Sequence, residues 1–364
     1  MSRAATPPPS SSSSGSSSSP GAGPARHRLD PREHPPHGRF DPSLAPVLVV
    51  EDGDVVEAVT LDSGWHALEQ PEAALAAGDP GGLLRWPGHD PALDPGHALT
   101  GPVAVRGAEP GDVLEVRIRD VRPGAWALTG AGSRETFADR AAGVDGLPRE
   151  VLVWRLDEQR RTAVDQHGDR VAVRAFPGLV GTCPAIPAGA GPRSTVPPRR
   201  TGGNVDCREL VAGSALFLPV QVPGALLSFG DGHAAQGDGE VAGVALECPL
   251  ERLELQLVLH RAAVPGGEAH DDDGEAAWTL PGGRPWASTP AGVVVLGTGT
   301  SLDEATADAL GGVVDLLVAR HGLSRQRALA LASAAVDLRV TQVVNGGVHG
   351  VHAVLPPGRL EIAG

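Results

Sequence analysis

The sequence predicts a mainly β fold of the α+β kind: a β-sandwich-like or barrel-like sheet pair, with a small helical lobe near the C-terminus. Three observations carry this expectation. From Val47 onward, short apolar runs are broken by Gly, Pro and Asp clusters, as in an all-β body. Two of those runs alternate strictly, which is the period of a half-buried strand. Beyond residue 298 the character changes, with a helix signal beginning at Ser301-Leu-Asp-Glu304.

Taken in order, residues 1–28 read as a disordered Ser/Pro-rich tail, because the first 20 residues hold ten serines and four prolines and no apolar run. A secretory core or membrane span is not expected there. One domain should occupy residues 40–364, with a β-rich body over about 45–298 and an α/β lobe over about 299–358. In Asp112–Val121, Leu114, Val116 and Ile118 share one strand face while Glu115, Arg117 and Arg119 share the other. Arg252–His260 places Leu253, Leu255, Leu257 and Leu259 in a similar stripe. Further strands are expected at Val103–Arg106, Val151–Leu156, Arg170–Ala175, Ala215–Val222, Val241–Cys248 and Val293–Gly297. Residues 178–203 read as one long Pro/Gly/Arg loop. Ser301 and Glu304 should form a capping box that starts a helix to about His321, where Gly322 stops it. Ser324 should cap a second helix to about Ala335, and Val336–Val344 should follow as a strand.

Composition narrows the chemistry. All 30 basic residues are arginines, so Schiff-base chemistry, a phosphate-gripping P-loop lysine and lysine-assisted hydrolysis are excluded. The net charge of −14 repels phosphate backbones and anionic membrane surfaces, so neither nucleic acid nor membrane is an expected partner. Phenylalanine (5) and tryptophan (6) are scarce, which leaves most of the packing to aliphatic residues. Cys183, Cys207 and Cys248 are odd in number and lack metal-ribbon spacing. A reducing cytoplasm fits them, and Cys207 reads as a buried thiol.

The segment richest in chemistry is Gly224–Glu240. Asp231 and His233 lie two apart, as do Asp238 and Glu240, so on an extended backbone each pair projects to one side. The interleaved glycines allow sharp turns and close approach of a metal ion or small substrate. A carboxylate and an imidazole are ligands that zinc accepts, and a further carboxylate is left over as a base. A Gly/Asp-rich segment between strands is equally the composition of an ordinary turn. The run His270-Asp-Asp-Asp273, flanked by glycine, reads as a solvated loop rather than a cation site.

Gly202-Gly-Asn204-Val-Asp206, the Leu-Val-Ala-Gly-Ser-Ala-Leu-Phe-Leu-Pro-Val run after it, and Gly230-Asp-Gly-His-Ala-Ala-Gln-Gly-Asp-Gly-Glu240 resemble the acetamidase/formamidase family almost residue for residue. Leu99-Thr-Gly-Pro-Val, Gly107–Val116, Ser194–Arg200 and Asp337–Val344 are similar to further blocks of that family, so the resemblance extends from about Val47 to about Pro356. It departs at Phe176–Pro184, a rearranged approach loop, and Leu61–His66 only loosely resembles an early Asp-containing motif. The resemblance implies hydrolysis of short linear amides such as acetamide or formamide to a carboxylate and ammonia. It also implies a divalent cation (zinc or calcium) and a homo-oligomer.

On this reading Asp231 and His233, helped by Asp62, hold the cation, and Glu240 is the general base. Asp238 orients the base or completes the metal shell. Asn204 and Asp206 contact the substrate amide or support the groups that do, since an Asn side chain can both donate and accept, although Asn-x-Asp is also a turn former. His66, His97 and His352 are candidate extra ligands that read equally as hydrogen-bonded structural residues. Two other readings stay open: hydrolysis of another small C–N bond, and a non-catalytic, metal-stabilised β-sandwich that binds a small polar ligand.

Overall fold

The computed structural model describes residues 23–132, 136–262 and 283–362. The His270–Asp273 run and most of the N-terminal tail lie outside them. Two large sheets carry the fold. The first has nine strands in the order Arg26–Leu29, Val55–Thr60, Leu250–His260, Val113–Pro123, Ser214–Pro219, Trp286–Thr289, Gly292–Gly299, Val348–Leu355 and Asp337–Asn345. The second runs from Arg170–Ala172 through Thr162–Asp165, Glu150–Leu156, Trp126–Ala131, Glu247–Cys248, Leu227–His233 and Phe176–Gly181 to Gly202–Asn204. Leu99–Val105 joins it as a branch along Leu227–His233 and carries Leu48–Val50 on its other side.

The sheets face each other across one aliphatic core. It takes Val56, Val116, Leu216 and Leu255 from the first sheet and Val103, Trp154, Leu227 and Phe229 from the second. The strict alternation explains this, because the register sets Leu259, Leu257 and Leu255 opposite Leu114, Val116 and Ile118, merging two stripes into one buried face. Each such side chain contributes roughly 1.5–3 kcal/mol on burial. Glu115 departs from the expected exposed face. It is buried between Arg117 and His260, at 2.6 and 2.8 Å.

The helical lobe covers the outer side of the first sheet. Leu302–His321 begins at Ser301, whose hydroxyl accepts from Glu304 N at 3.2 Å, and ends at Gly322 with φ 62°. The capping box is half-made, since the Glu304 carboxylate turns to Thr300 N and Oγ1. Arg325–Ala335 starts at Ser324 as expected. Ala305, Ala309, Val313 and Leu316 pack on Trp286, Val295 and Val351. A Cβ at Gly297 would lie 2.3 Å from Ala309 N, so glycine is what lets the first helix press onto its strand.

Three expectations need correction. Residues 26–28 are not tail, because Arg26–Leu29 pairs parallel with Val55–Thr60 and buries Leu29. This strand has one buried residue, too few for a periodic signal. Residues 178–203 are not one loop. Leu179, Val180 and Gly181 pair with Asn204, Gly203 and Gly202, and the glycines read as loop formers are there because two backbones approach closely. Of Val241–Cys248, only Glu247–Cys248 is strand.

His37 sits in the seam near Leu227–His233, with Nδ1 2.8 Å from Arg39 O and Nε2 3.2 Å from Ser228 Oγ. Burial pushes its pKa down to about 4. Between that value and about 6.5 the unfolded chain binds the extra proton, so stability is full above the unfolded pKa and falls as pH drops toward 4. The loss from this residue should be on the order of 3 kcal/mol at most. Urea midpoints measured from pH 7 to pH 4 should fall for wild type and fall less steeply for His37→Gln.

Candidate active site

Leu227–His233 ends near the middle of the second sheet and delivers His233 between Phe176 and Glu247, its register partners on either side. Glu247 therefore faces the imidazole through strand pairing alone. The turn after Gly202–Asn204 brings Asp206 up, with its N–H donating to Gly178 O at 3.1 Å. A bridge between Gly239 and Gln342 ties the Glu240 turn to the C-terminal strand, whose end supplies Asn345.

Asp206, Asp231 and Glu240 adopt φ values of 48°, 55° and 45°, a left-handed conformation uncommon outside glycine. Such strain persists only where surrounding structure holds it, and all three residues belong to carboxylate groups that share His233. Asn204, Asp231, Glu240, Glu247 and Asn345 line a cavity of about 310 Å³. His233 Nε2 lies 3.5 Å from Asp231 Oδ1 and 3.4 Å from Glu247 Oε2, and makes no hydrogen bond to either. Its Nδ1 is 2.8 Å from Gln236 Oε1, and Gln236 Nε2 donates to Asp206 O. That chain makes Nδ1 the protonated nitrogen in the neutral ring and turns the Nε2 lone pair toward the carboxylates. Asn345 Nδ2 donates to Asp206 Oδ2 and reaches Glu240 Oε2 at 3.4 Å.

Burial dominates the electrostatics. It raises Glu240 to about 8, with the His233 charge opposing and Glu247 and Asp231 reinforcing. Burial and then Glu240 drive Asp206 well above the carboxylate range, and Glu247 is raised by burial and Asp231 against the pull of His233. Burial would raise Asp231 too, but His233 and His97 outweigh it and hold it ionised. Burial would lower His233, yet Glu247 and Asp231 drive it well above its ordinary value. Four carboxyl groups thus surround one imidazole away from water, a density of negative charge that needs protons or a cation.

The arrangement fits a cation. Asp231, His233 and Glu247 each offer one atom within 4.8 Å of the others, as do Asp206, His233 and Glu240. Asn204 Oδ1, Asp206 Oδ1, Asp231 Oδ1 and His233 Nε2 are all buried without a hydrogen-bond partner. One nitrogen with two carboxylates matches zinc better than calcium, which takes six to eight oxygens. His233 has one free nitrogen, so the two triads compete for a single ion.

Of the residues proposed from sequence, Asn204, Asp206, Asp231, His233 and Glu240 converge here. Two do not. Asp238 is exposed, because the chain turns between it and Glu240 instead of staying extended, so the pair does not share a side. Asp62 belongs to neither triad. Both its oxygens are taken by His66, through backbone N–H and Nδ1 at 2.7 Å each. His66 is thereby accounted for, and His352 Nδ1 pairs with Thr341 Oγ1 at 2.8 Å. His97 lines the cavity, with Nδ1 2.9 Å from Thr195 Oγ1. Cys207 is a buried free thiol whose pKa burial pushes up to about 12. Sequence reasoning missed Glu247, Gln236 and Asn345. A signal existed for the last, since Asn204 and Asn345 are the only asparagines in the chain, and both line this cavity.

Fold and site together define a two-sheet β protein with a buried carboxylate–imidazole centre. The chain belongs to the acetamidase/formamidase family, whose model matches residues 25–189 and 187–357. It is 31% identical over 261 residues to an acetamidase of Mycolicibacterium smegmatis, covering 57% of this chain and 61% of that one. A putative formamidase of Schizosaccharomyces pombe is 30% identical over 255 residues, 57% of this chain and 59% of its own length. The matched stretch therefore spans about three fifths of each relative. A solved acetamidase structure from Yersinia enterocolitica superposes with a TM-score of 0.71 at 25% identity, covering 92% of this chain and 93% of that one.

A Cβ at Gly178 would lie 2.6 Å from His233 Cε1, 2.8 Å from its Nε2 and 2.9 Å from Asp206 Oδ1. Gly178→Ala should therefore displace the imidazole and weaken the binding of added zinc by about 10–100-fold, as losing an orienting contact does. Competition titration against a chromogenic chelator measures this.

Proposed function

We propose that this chain hydrolyses the C–N bond of short linear amides, acetamide and formamide among them, to a carboxylate and ammonia by metal-assisted attack of water. The observation that carries the reading is the grouping of Asp206, Asp231, His233, Glu240 and Glu247 beside a cavity of about 310 Å³, in a chain of this family.

Asp231, His233 and Glu247 are assigned to the cation, because Asp231 is held ionised and Glu247 stands opposite His233 in the ladder. A zinc-like ion there supplies Lewis acidity toward the amide carbonyl and toward water. Asn204 positions the substrate. Its Nδ2 donates to Val196 O at 3.1 Å, and its buried Oδ1 is open to accept from the amide N–H. Glu240, with its carboxyl brought to about 8, is matched to taking a proton from water and returning it to the departing nitrogen. Asp206 keeps its proton, and through Asn345 it holds Glu240 in place. With no lysine in the chain, amidase mechanisms that use an ε-amine do not apply.

Among the described residues no helix is long and apolar enough to cross a membrane. Three buried free thiols support a reducing cytoplasm, and the family resemblance supports a homo-oligomer.

Ammonia release from acetamide and formamide tests the reading, and no turnover at high enzyme concentration would sink it. Glu240→Gln should lower kcat by roughly 10²–10⁴-fold while retaining bound metal. His233→Ala should lose the metal along with the activity, as seen by elemental analysis. Full turnover after exhaustive chelation would remove the cation from the mechanism.

A further inference from the structure

A second cavity, of about 390 Å³, abuts the catalytic one, and both are lined by Ser63, Gly64, Val244 and Glu247. Its walls include the side chains of Pro80, Leu128, Val151 and Val244. Thr129 and the exposed Arg85 and Arg149 also line it, while its buried carboxylates have partners already. Asp62 is closed onto His66, while Glu247 accepts from Ser63 Oγ and from Ala245 N at 2.9 Å each. Arg85 donates to Gly64 O at 2.6 Å, which holds the shared loop. An aliphatic chain laid along Pro80, Leu128, Val151 and Val244 would bury apolar surface there, leaving the exposed arginines in water.

We infer that this second cavity receives the acyl chain of the amide, so that the chain acts on straight-chain primary amides longer than acetamide. The proposal rests on the amidase reading and extends it to the substrate class. Glycine at position 64 leaves no side chain on the divide, where a Cβ would stand 3.0 Å from His66 and 3.1 Å from Asp62 Oδ2. The amide N–H stays beside Asn204 Oδ1 while the alkyl chain passes Glu247 toward Leu128 and Val151.

The test is kcat/KM for ammonia release across acetamide, butyramide, hexanamide and octanamide. It should rise up to about fourfold per added methylene until the cavity is full, the ratio that burying a CH₂ at about 0.8 kcal/mol yields. Leu128→Trp and, independently, Val151→Phe should reduce the hexanamide-to-acetamide ratio at least tenfold. A wild-type profile that falls steadily beyond acetamide overturns the inference, as do filled variants whose ratio does not move. N-butylacetamide turning over faster than hexanamide would also overturn it, by placing the cavity on the amine side. Calorimetric binding of hexanoate against acetate provides a readout without turnover. Equal affinity for the two in wild type counts against the cavity, whereas failure to hydrolyse even acetamide counts against the amidase reading alone.

Discussion

The pairing of His233 with Glu247 across two strands of the second sheet is the constraint around which the rest of the site is arranged. Backbone hydrogen bonding, with no contribution from the side chains, places a buried imidazole opposite a buried carboxylate. Everything added afterwards is another carboxyl group: Asp231 from the same strand, Asp206 from a neighbouring turn, Glu240 from the following loop. Water is excluded from most of this cluster, so each carboxyl raises the cost of ionising the next. The body beneath must be rigid enough to keep those groups from relaxing apart, and an aliphatic core shared by two large sheets provides that.

Much of the fold was legible because its strands obey a strict period. Leu253 to Leu259 and Leu114 to Ile118 announce one buried face each, and Ser301, Gly322 and Ser324 mark the helix ends within a residue or so. Where the signal failed, the physical reason differs from place to place. Arg26–Leu29 is too short to show periodicity. Residues 178–203 hide strands because glycine serves there to let backbones approach, which in sequence looks the same as a turn.

The site was half legible. Asp231, His233 and Glu240 stand in one compact motif, and Asn204 and Asp206 in another, so their convergence required only that the two motifs meet. Asp238 stands apart from Glu240 because residues 238–240 form a turn instead of an extended run. Asp62 looked like a ligand by type, yet its partner lies four residues away, a local closure that spacing does not distinguish from a metal site. Glu247 and Asn345 could be found only from the three-dimensional pairing of distant segments. Glu247 reaches the site through the strand ladder, and Asn345 through the bridge between Gly239 and Gln342.

The left-handed backbone at Asp206, Asp231 and Glu240 also bears on how this protein changes over time. A glycine at any of these positions would relieve conformational strain, on the order of 1 kcal/mol each, and would remove a buried carboxyl group as well. The chain would fold more securely without the groups that give it chemistry. Selection for thermostability alone, applied to a mutant library with no amide to turn over, would therefore erode the centre first and leave a sturdier sandwich with nothing to do.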